Sequence, residues 1–240
     1  MHQPDAFGFL KGKLVSSRIY PEFFPFNKED RVVNIGCGQG PQAIAYAGQY
    51  KEMVGVDLDE KRLEKSHEAM RMYGVNNYKT VCSNVEAIPL SDQSFDKAIA
   101  IDIVEHVQNP QKLCLEANRL LKPTGEFLIT FPTMHDKFTD FVSKIGHILG
   151  RKSKTIKSTT WNPDEHNQFH SPKEWIAIVE GCGFKLSKSR ASTLFPPLHL
   201  YGIPRFWYSN NFIHEIDSFF CQLSGLKNYG QALVCVFRKQ

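Results

Sequence analysis

At 240 residues, with 42% hydrophobic and 22% charged side chains, the chain holds enough apolar material to bury one substantial core. A net charge of +4 is too small to indicate a nucleic-acid partner, and no apolar run reaches the roughly 18 residues that a bilayer-spanning helix needs. The opening Met1-His2-Gln3-Pro4-Asp5 has no basic or apolar leader character, and the six cysteines form no C-x-x-C pair, which reads as a cytoplasmic protein with reduced thiols and no structural zinc.

The apolar run Val32-Val33-Asn34-Ile35 reads as a buried strand that enters a tight turn, Gly36-Cys37-Gly38-Gln39-Gly40. A helix from Gln42 to Tyr50 is expected next. The turn has G-x-G-x-G spacing, and Pro41 stands where a dinucleotide fingerprint needs glycine or alanine. Met53 to Val56 forms the second strand and ends at Asp57, a place suited to accepting hydrogen bonds from ribose hydroxyls. Asp59 caps a helix predicted from Glu60 to Tyr73, with Gly74 just beyond it. Ser83-Asn84-Val85-Glu86-Ala87-Ile88-Pro89-Leu90 and Ser94-Phe95-Asp96 precede a strand over Lys97 to Ile101, which leads into Asp102-Ile103-Val104-Glu105-His106-Val107. Asn109-Pro110 opens a helix that stops at Lys122-Pro123, and Glu126 to Phe131 reads as the fifth strand. Ser171-Pro172-Lys173-Glu174 is a capping box for a helix to Glu180 that Gly181 closes. Phe184 to Arg190 and Gln231 to Lys239 supply the last strands. This alternation is the pattern of an α/β fold built from βαβ units.

Taken together, these motifs resemble the class I S-adenosylmethionine-dependent methyltransferases, in the type 11 group that acts on small molecules and on lipid or quinone precursors. The likeness is dense from Arg31 to Phe131 and continues more thinly from His166 to Phe184, through Phe169-His170-Ser171-Pro172 and Gly181-Cys182-Gly183-Phe184. It implies a Rossmann-like, seven-stranded, mostly parallel sheet in the order 3-2-1-4-5-7-6, with the final strand antiparallel and helices on both faces. It further implies one domain over 1–240, with a helical cap at 1–30, a cofactor core at 31–131 and substrate-side insertions at 132–170 and 193–229. The implied cofactor is S-adenosyl-L-methionine. Gly36, Gly38 and Gly40 would pass beneath its methionine and ribose parts, and Asp57 would hold the ribose hydroxyls. Asn84 would meet the adenine amino group with Val85 beside the ring, and Asp102 would lie near the methionine end. Asn34, Cys37, Leu58 and Ile103 complete the expected cofactor set. Two positions depart from the family, since Asn34 and Asn84 stand where it is usually or often acidic.

The chemistry asks for a base only if the acceptor must lose a proton, and histidine titrates in the useful range. His106, common at this place in the family, is the candidate, with Glu105 beside it; the alternative is a residue that orients its own loop. His135, His166 and His170 are candidates on the substrate side. The segments His135 to Leu149 and Thr193 to Tyr229 read either as amphipathic helices packed on the core or as a greasy roof over the acceptor. Phe206 and Trp207 are then the expected substrate contacts. The expected acceptor is a small hydrophobic molecule, such as a quinone-, polyketide-, isoprenoid- or lipid-precursor-like compound. The basic run Arg151, Lys152, Lys154 and Lys157 reads as a solvated loop or as a peripheral membrane contact.

Other chemistries fit less well. No metal is expected, because H-E-x-x-H fails between His166 and His170, where Asn167 stands in the glutamate's place. Asp102-Ile103-Val104-Glu105 is not the Asn/Asp-Pro-Pro-aromatic motif of an exocyclic-amine methyltransferase, and Glu105 has no second glutamate for a guanidinium clamp. Pro41 and the absence of a suitable Tyr-x-x-x-Lys pair disfavour an NAD-dependent oxidoreductase. A non-catalytic S-adenosylmethionine-binding protein, or a methyltransferase of RNA or protein, stands as the alternative.

Overall fold

Val32, Val33 and Ile35 are wholly buried, which a strand achieves only with both faces of its sheet covered. In the computed structural model, which describes residues 20–133, 170–194, 211–223, 225–226, 230 and 232–240, they form β1 (Arg31–Ile35). The other strands are β2 (Glu52–Asp57), β3 (Tyr78–Cys82), β4 (Phe95–Ala100), β5 (Leu121–Pro132), β6 (Phe184–Ala191) and β7 (Ala232–Lys239). They make one sheet in the order β3-β2-β1-β4-β5-β7-β6. β1 pairs in parallel with β2 and β4, while β7 runs antiparallel to both β5 and β6. Fold class, strand order and the reversed final strand are as the family resemblance implies.

Alternate residues of the sheet feed two cores. Val33, Ile35, Val54 and Val56 pack with Leu113 and Ala117 of α3 (Pro110–Leu120) and with Trp175 and Val179 of α4 (Pro172–Glu180). On the other face Val32, Met53, Ile99 and Val234 pack with Ala43 and Ile44 of α1 (Pro41–Ala45), Met70 of α2 (Glu60–Tyr73), and Tyr20, Phe24 and Phe26. A fifth described helix, α5 (Asn211–Gln222), lies between β6 and β7 in sequence.

Local signals set most helix ends. The Asp59 side chain accepts from the Arg62 N–H, Gly74 takes the left-handed conformation, and Asn109 accepts from the Lys112 N–H. Both halves of the Ser171–Glu174 capping box are formed. The structure differs from expectation in the end of one helix and the start of one strand. Helix α1 stops at Ala45 rather than Tyr50, because Gly48, at φ +77°, turns the chain before β2. Strand β5 begins at Leu121, which pairs with Phe95 ahead of an irregularity, and regular pairing resumes at Glu126. Helix α4 ends at Glu180 with Gly181 as its C-cap, as expected, and Gly183 is the left-handed residue of the turn that follows. Of the expected helical cap at 1–30, residues 1–19 lie outside the described residues, and residues 20–30 form turns and irregular backbone instead of a helix.

One close approach determines how β2 can pack. Gly55 faces Tyr78 and Cys37, so a Cβ there would fall on the Tyr78 hydroxyl and lie 2.7 Å from the Cys37 sulfur. The Tyr78 hydroxyl also sits 3.1 Å from where a Cβ on Gly40 would be, so one phenol fills the space beneath the glycine turn. Gly55→Ala should therefore lower stability by about 1–3 kcal/mol in urea unfolding. Adding Tyr78→Phe should recover part of that loss, and a simple sum of two penalties would show that the two positions do not compete for space.

Candidate functional site

Because β1 to β4 run parallel, their carboxyl ends reach one edge, and the candidate residues collect there. The chain leaves β1 with Gly36 and Cys37 still bonded to the Val56 carbonyl at 2.8 and 3.0 Å, and then turns. Gly36 has φ +72°, and a Cβ on it would meet Ile103 at 2.5 Å, so the loop after β4 packs directly on the turn. Gly38 has φ +52° and open space where a Cβ would point. Backbone here can be approached closely by a ligand.

Asp57 closes the turn. Its carboxylate accepts the Gly38 N–H at 2.8 Å and the Asp59 N–H at 3.0 Å, so it is oriented before any ligand arrives. Beside it the Leu58 side chain is 70% exposed, an apolar surface at the mouth of the edge. The Asp57 carbonyl accepts the Ser83 N–H at 3.0 Å, which ties the loop after β3 to the end of β2. In that loop Asn84 is exposed, with its side-chain oxygen accepting the Glu86 N–H at 2.9 Å, while Val85 is buried. These residues form a continuous ledge in the order Asn84, Asp57, Gly38, Ile103.

Asp102, after β4, adopts φ +53°, a left-handed conformation that non-glycine residues rarely hold. Thr130 on β5 holds it there: its hydroxyl accepts the Asp102 N–H at 2.8 Å and donates to the Asp102 carboxylate at 3.4 Å. His106 is exposed in the following turn, and its N–H bonds the Ile103 carbonyl at 2.9 Å. His170 meets the edge of Trp175 at 4.6 Å between ring centroids, and Trp175 stacks on Phe131 at 5.2 Å, near the carboxyl end of β5. His135, His166, Phe206 and Trp207 lie outside the described residues. No group of three His, Cys, Asp or Glu side chains converges as a metal site among the described residues.

Two expected cofactor residues turn inward. Asn34 is buried and donates to Gln42 of α1 at 3.2 Å, a neutral amide pair at the place of the family's usual acid. The Cys37 side chain packs under the turn, and burial pushes its thiol up to about 12, so it stays protonated. At these two positions the side chains support the turn from below.

The sequence reading did not assign a role to the pair that holds the β3–β4 loop. Arg119 on α3 donates to the Ile88 and Leu90 carbonyls, each at 2.7 Å, and to Asp92. It also pairs with Glu116 at 2.8 Å, and Glu116 accepts the Ile88 N–H at 2.7 Å. Glu86 accepts the Asn109 N–H at 2.9 Å, a further bond between this loop and the start of α3. At the far side of the sheet, Asp217 of α5 accepts from the Thr193 hydroxyl at 2.7 Å and the Leu194 N–H at 2.9 Å. That bond fastens the described part of the second insertion to the carboxyl end of β6.

Comparisons with known proteins agree with this geometry. Residues 33–129 match the methyltransferase domain family of type 11. An uncharacterized methyltransferase of Bacillus subtilis, YcgJ, is 32% identical over 101 residues, 42% of this chain and 40% of the relative. The ubiquinone biosynthesis O-methyltransferase of Coxiella burnetii is 28% identical over 161 residues, 66% of this chain and 65% of its own. The matches thus span less than two thirds of either relative. A solved SAM-dependent methyltransferase of Thermotoga maritima, described as a possible histamine N-methyltransferase, superposes with a TM-score of 0.63 at 20% identity, covering 98% of this chain and 92% of that one.

The Arg119 guanidinium holds the Glu116 carboxyl below the usual carboxylate range. A carboxyl depressed in the folded state stabilises the fold above its unfolded pKa, and that contribution disappears as pH falls through the folded value. Stability from urea unfolding should decline on acidification, and Glu116→Gln should make the acid limb shallower while lowering stability at neutral pH. Equal acid limbs in the two proteins would assign the pair no role in stability.

Proposed function

We propose that this chain, which belongs to the class I S-adenosylmethionine-dependent methyltransferases of the type 11 group, transfers a methyl group to a small, apolar acceptor. The observation that carries the reading is the prearranged Asp57 carboxylate, bonded to Gly38 above an open glycine turn. Gly36, Gly38 and Gly40 cradle the methionine and ribose parts of S-adenosyl-L-methionine, and Asp57 binds the ribose hydroxyls. Leu58 and Val85 flank the adenine, Asn84 faces its amino group, and Asp102 and Ile103 line the methionine end. When bound, the cofactor supplies an already activated methyl group, so the protein's task is alignment and exclusion of water.

An apolar acceptor is supported by the quinone-pathway role of the Coxiella burnetii relative. Phe219, Phe220 and Leu223 are exposed on and just after α5, on the segment that Asp217 fastens to the carboxyl edge. They support an apolar partner on this side, either the acceptor or a membrane surface that holds it. Among the described residues no helix is long and apolar enough to cross a membrane. His106 is the candidate base for a hydroxyl acceptor.

Calorimetry with S-adenosylhomocysteine tests the cofactor assignment. Asp57→Ala should weaken binding by about 1.5–3 kcal/mol, roughly ten- to a hundredfold. Tight NAD binding with none of S-adenosylhomocysteine would defeat the reading. Incubation with methyl-labelled cofactor and quinol, polyketide and isoprenoid acceptors should yield labelled product, and His106→Ala should slow transfer to a hydroxyl by roughly 10²–10⁴-fold. Binding without transfer to any acceptor would favour the non-catalytic alternative.

A further inference from the structure

The β3–β4 loop, residues 83–94, has no partner strand, yet Ile88 within it is buried. Buried backbone groups need hydrogen-bond partners, and two side chains of α3 supply them. Glu116 accepts the Ile88 N–H, while Arg119 donates to the Ile88 carbonyl and, two residues on, to the Leu90 carbonyl. The guanidinium bonds both oxygens of Glu116, at 2.9 and 2.8 Å, and reaches Asp92 from the same fork. The loop's far end is fastened to the same helix, with Gln93 and Ser94 donating to the Arg119 and Leu120 carbonyls at 2.9 Å. Its near end carries Asn84, whose carbonyl accepts the Ala87 N–H at 3.1 Å, directly before Ile88.

We propose that Glu116 and Arg119 are positioning residues for the adenine end of the cofactor, acting through the loop that presents Asn84 and Val85. The inference rests on the cofactor reading given above. A fork of planar donors is needed here, because three acceptors on one loop must be met from a single side chain, and a lysine ammonium cannot match that geometry. The cost of an error is displacement of Asn84 from the ledge that it shares with Asp57, even though neither Glu116 nor Arg119 stands on that ledge.

The experiment measures S-adenosylhomocysteine binding by calorimetry, with thermal melts alongside, in the wild type, Arg119→Lys, Glu116→Gln, Asn84→Ala and Arg119→Lys/Asn84→Ala. Arg119→Lys and Glu116→Gln are close in size to the native residues, and the thermal melts establish that each variant is folded at the temperature of measurement. Each should weaken binding by roughly tenfold. Asn84→Ala should cost about fivefold in the wild type and less than about twofold in Arg119→Lys, since Asn84 is already misplaced there. A residue with a purely structural role would lower the melting temperature and leave the Asn84 penalty the same in both backgrounds, and that result overturns the proposal. Unchanged affinity in Arg119→Lys, with the wild type binding normally, also overturns it and leaves the cofactor reading intact. A wild type that binds no S-adenosylhomocysteine overturns the cofactor reading and this assignment with it.

Discussion

In a parallel sheet every strand delivers its carboxyl end to the same edge, and here β1 is held between β2 and β4 in continuous register. This constraint places the glycine turn, Asp57, the Asn84 loop and Asp102 within one ledge, although they span residues 36 to 102 in sequence. The edge is then held by bonds between loops as well as within them. Gly38 bonds Asp57, Ser83 bonds the Asp57 carbonyl, and Ile103 covers Gly36. Each loop's position is therefore a property of its neighbour.

Such rigidity suits the proposed methyl transfer, in which the reactive group is already activated. Rate then depends on holding donor and acceptor in line, and little on acid–base chemistry supplied by the protein. The side chains at this edge reflect that division: the Cys37 thiol is kept protonated by burial, and Asn34, itself uncharged, is paired with the Gln42 amide. The Asp57 and Asp102 carboxylates at the ledge each accept from the loop or strand beside them.

Signals confined to a few consecutive residues were legible in the sequence. Asp59, Asn109 and the Ser171–Glu174 box mark helix starts where the structure has them, and the three glycines mark the turn. Contacts between distant residues were not legible. Arg119 lies 31 residues from Ile88, and nothing in the local pattern shows which carbonyls it meets. Tyr78 reads as an ordinary strand aromatic until Gly55 is seen to leave room for its hydroxyl. The length of α1 was misread because the glycine that ends the turn following it, Gly48, acts through a positive φ rather than through hydrophobic spacing.

The left-handed backbone of Asp102 has a consequence for how its role can be dissected. Alanine at this position removes the carboxylate and also places a residue with a poor tolerance for positive φ where Thr130 now stabilises the turn. An alanine scan would merge these two losses and overstate the electrostatic one. Asparagine enters the left-handed region more readily than most residues and is close to aspartate in shape. The Asp102→Asn and Asp102→Gly variants thus form a matched pair, one removing charge alone and the other removing the whole side chain without backbone strain. The difference between them reports the steric and hydrogen-bonding part of this residue separately from its charge.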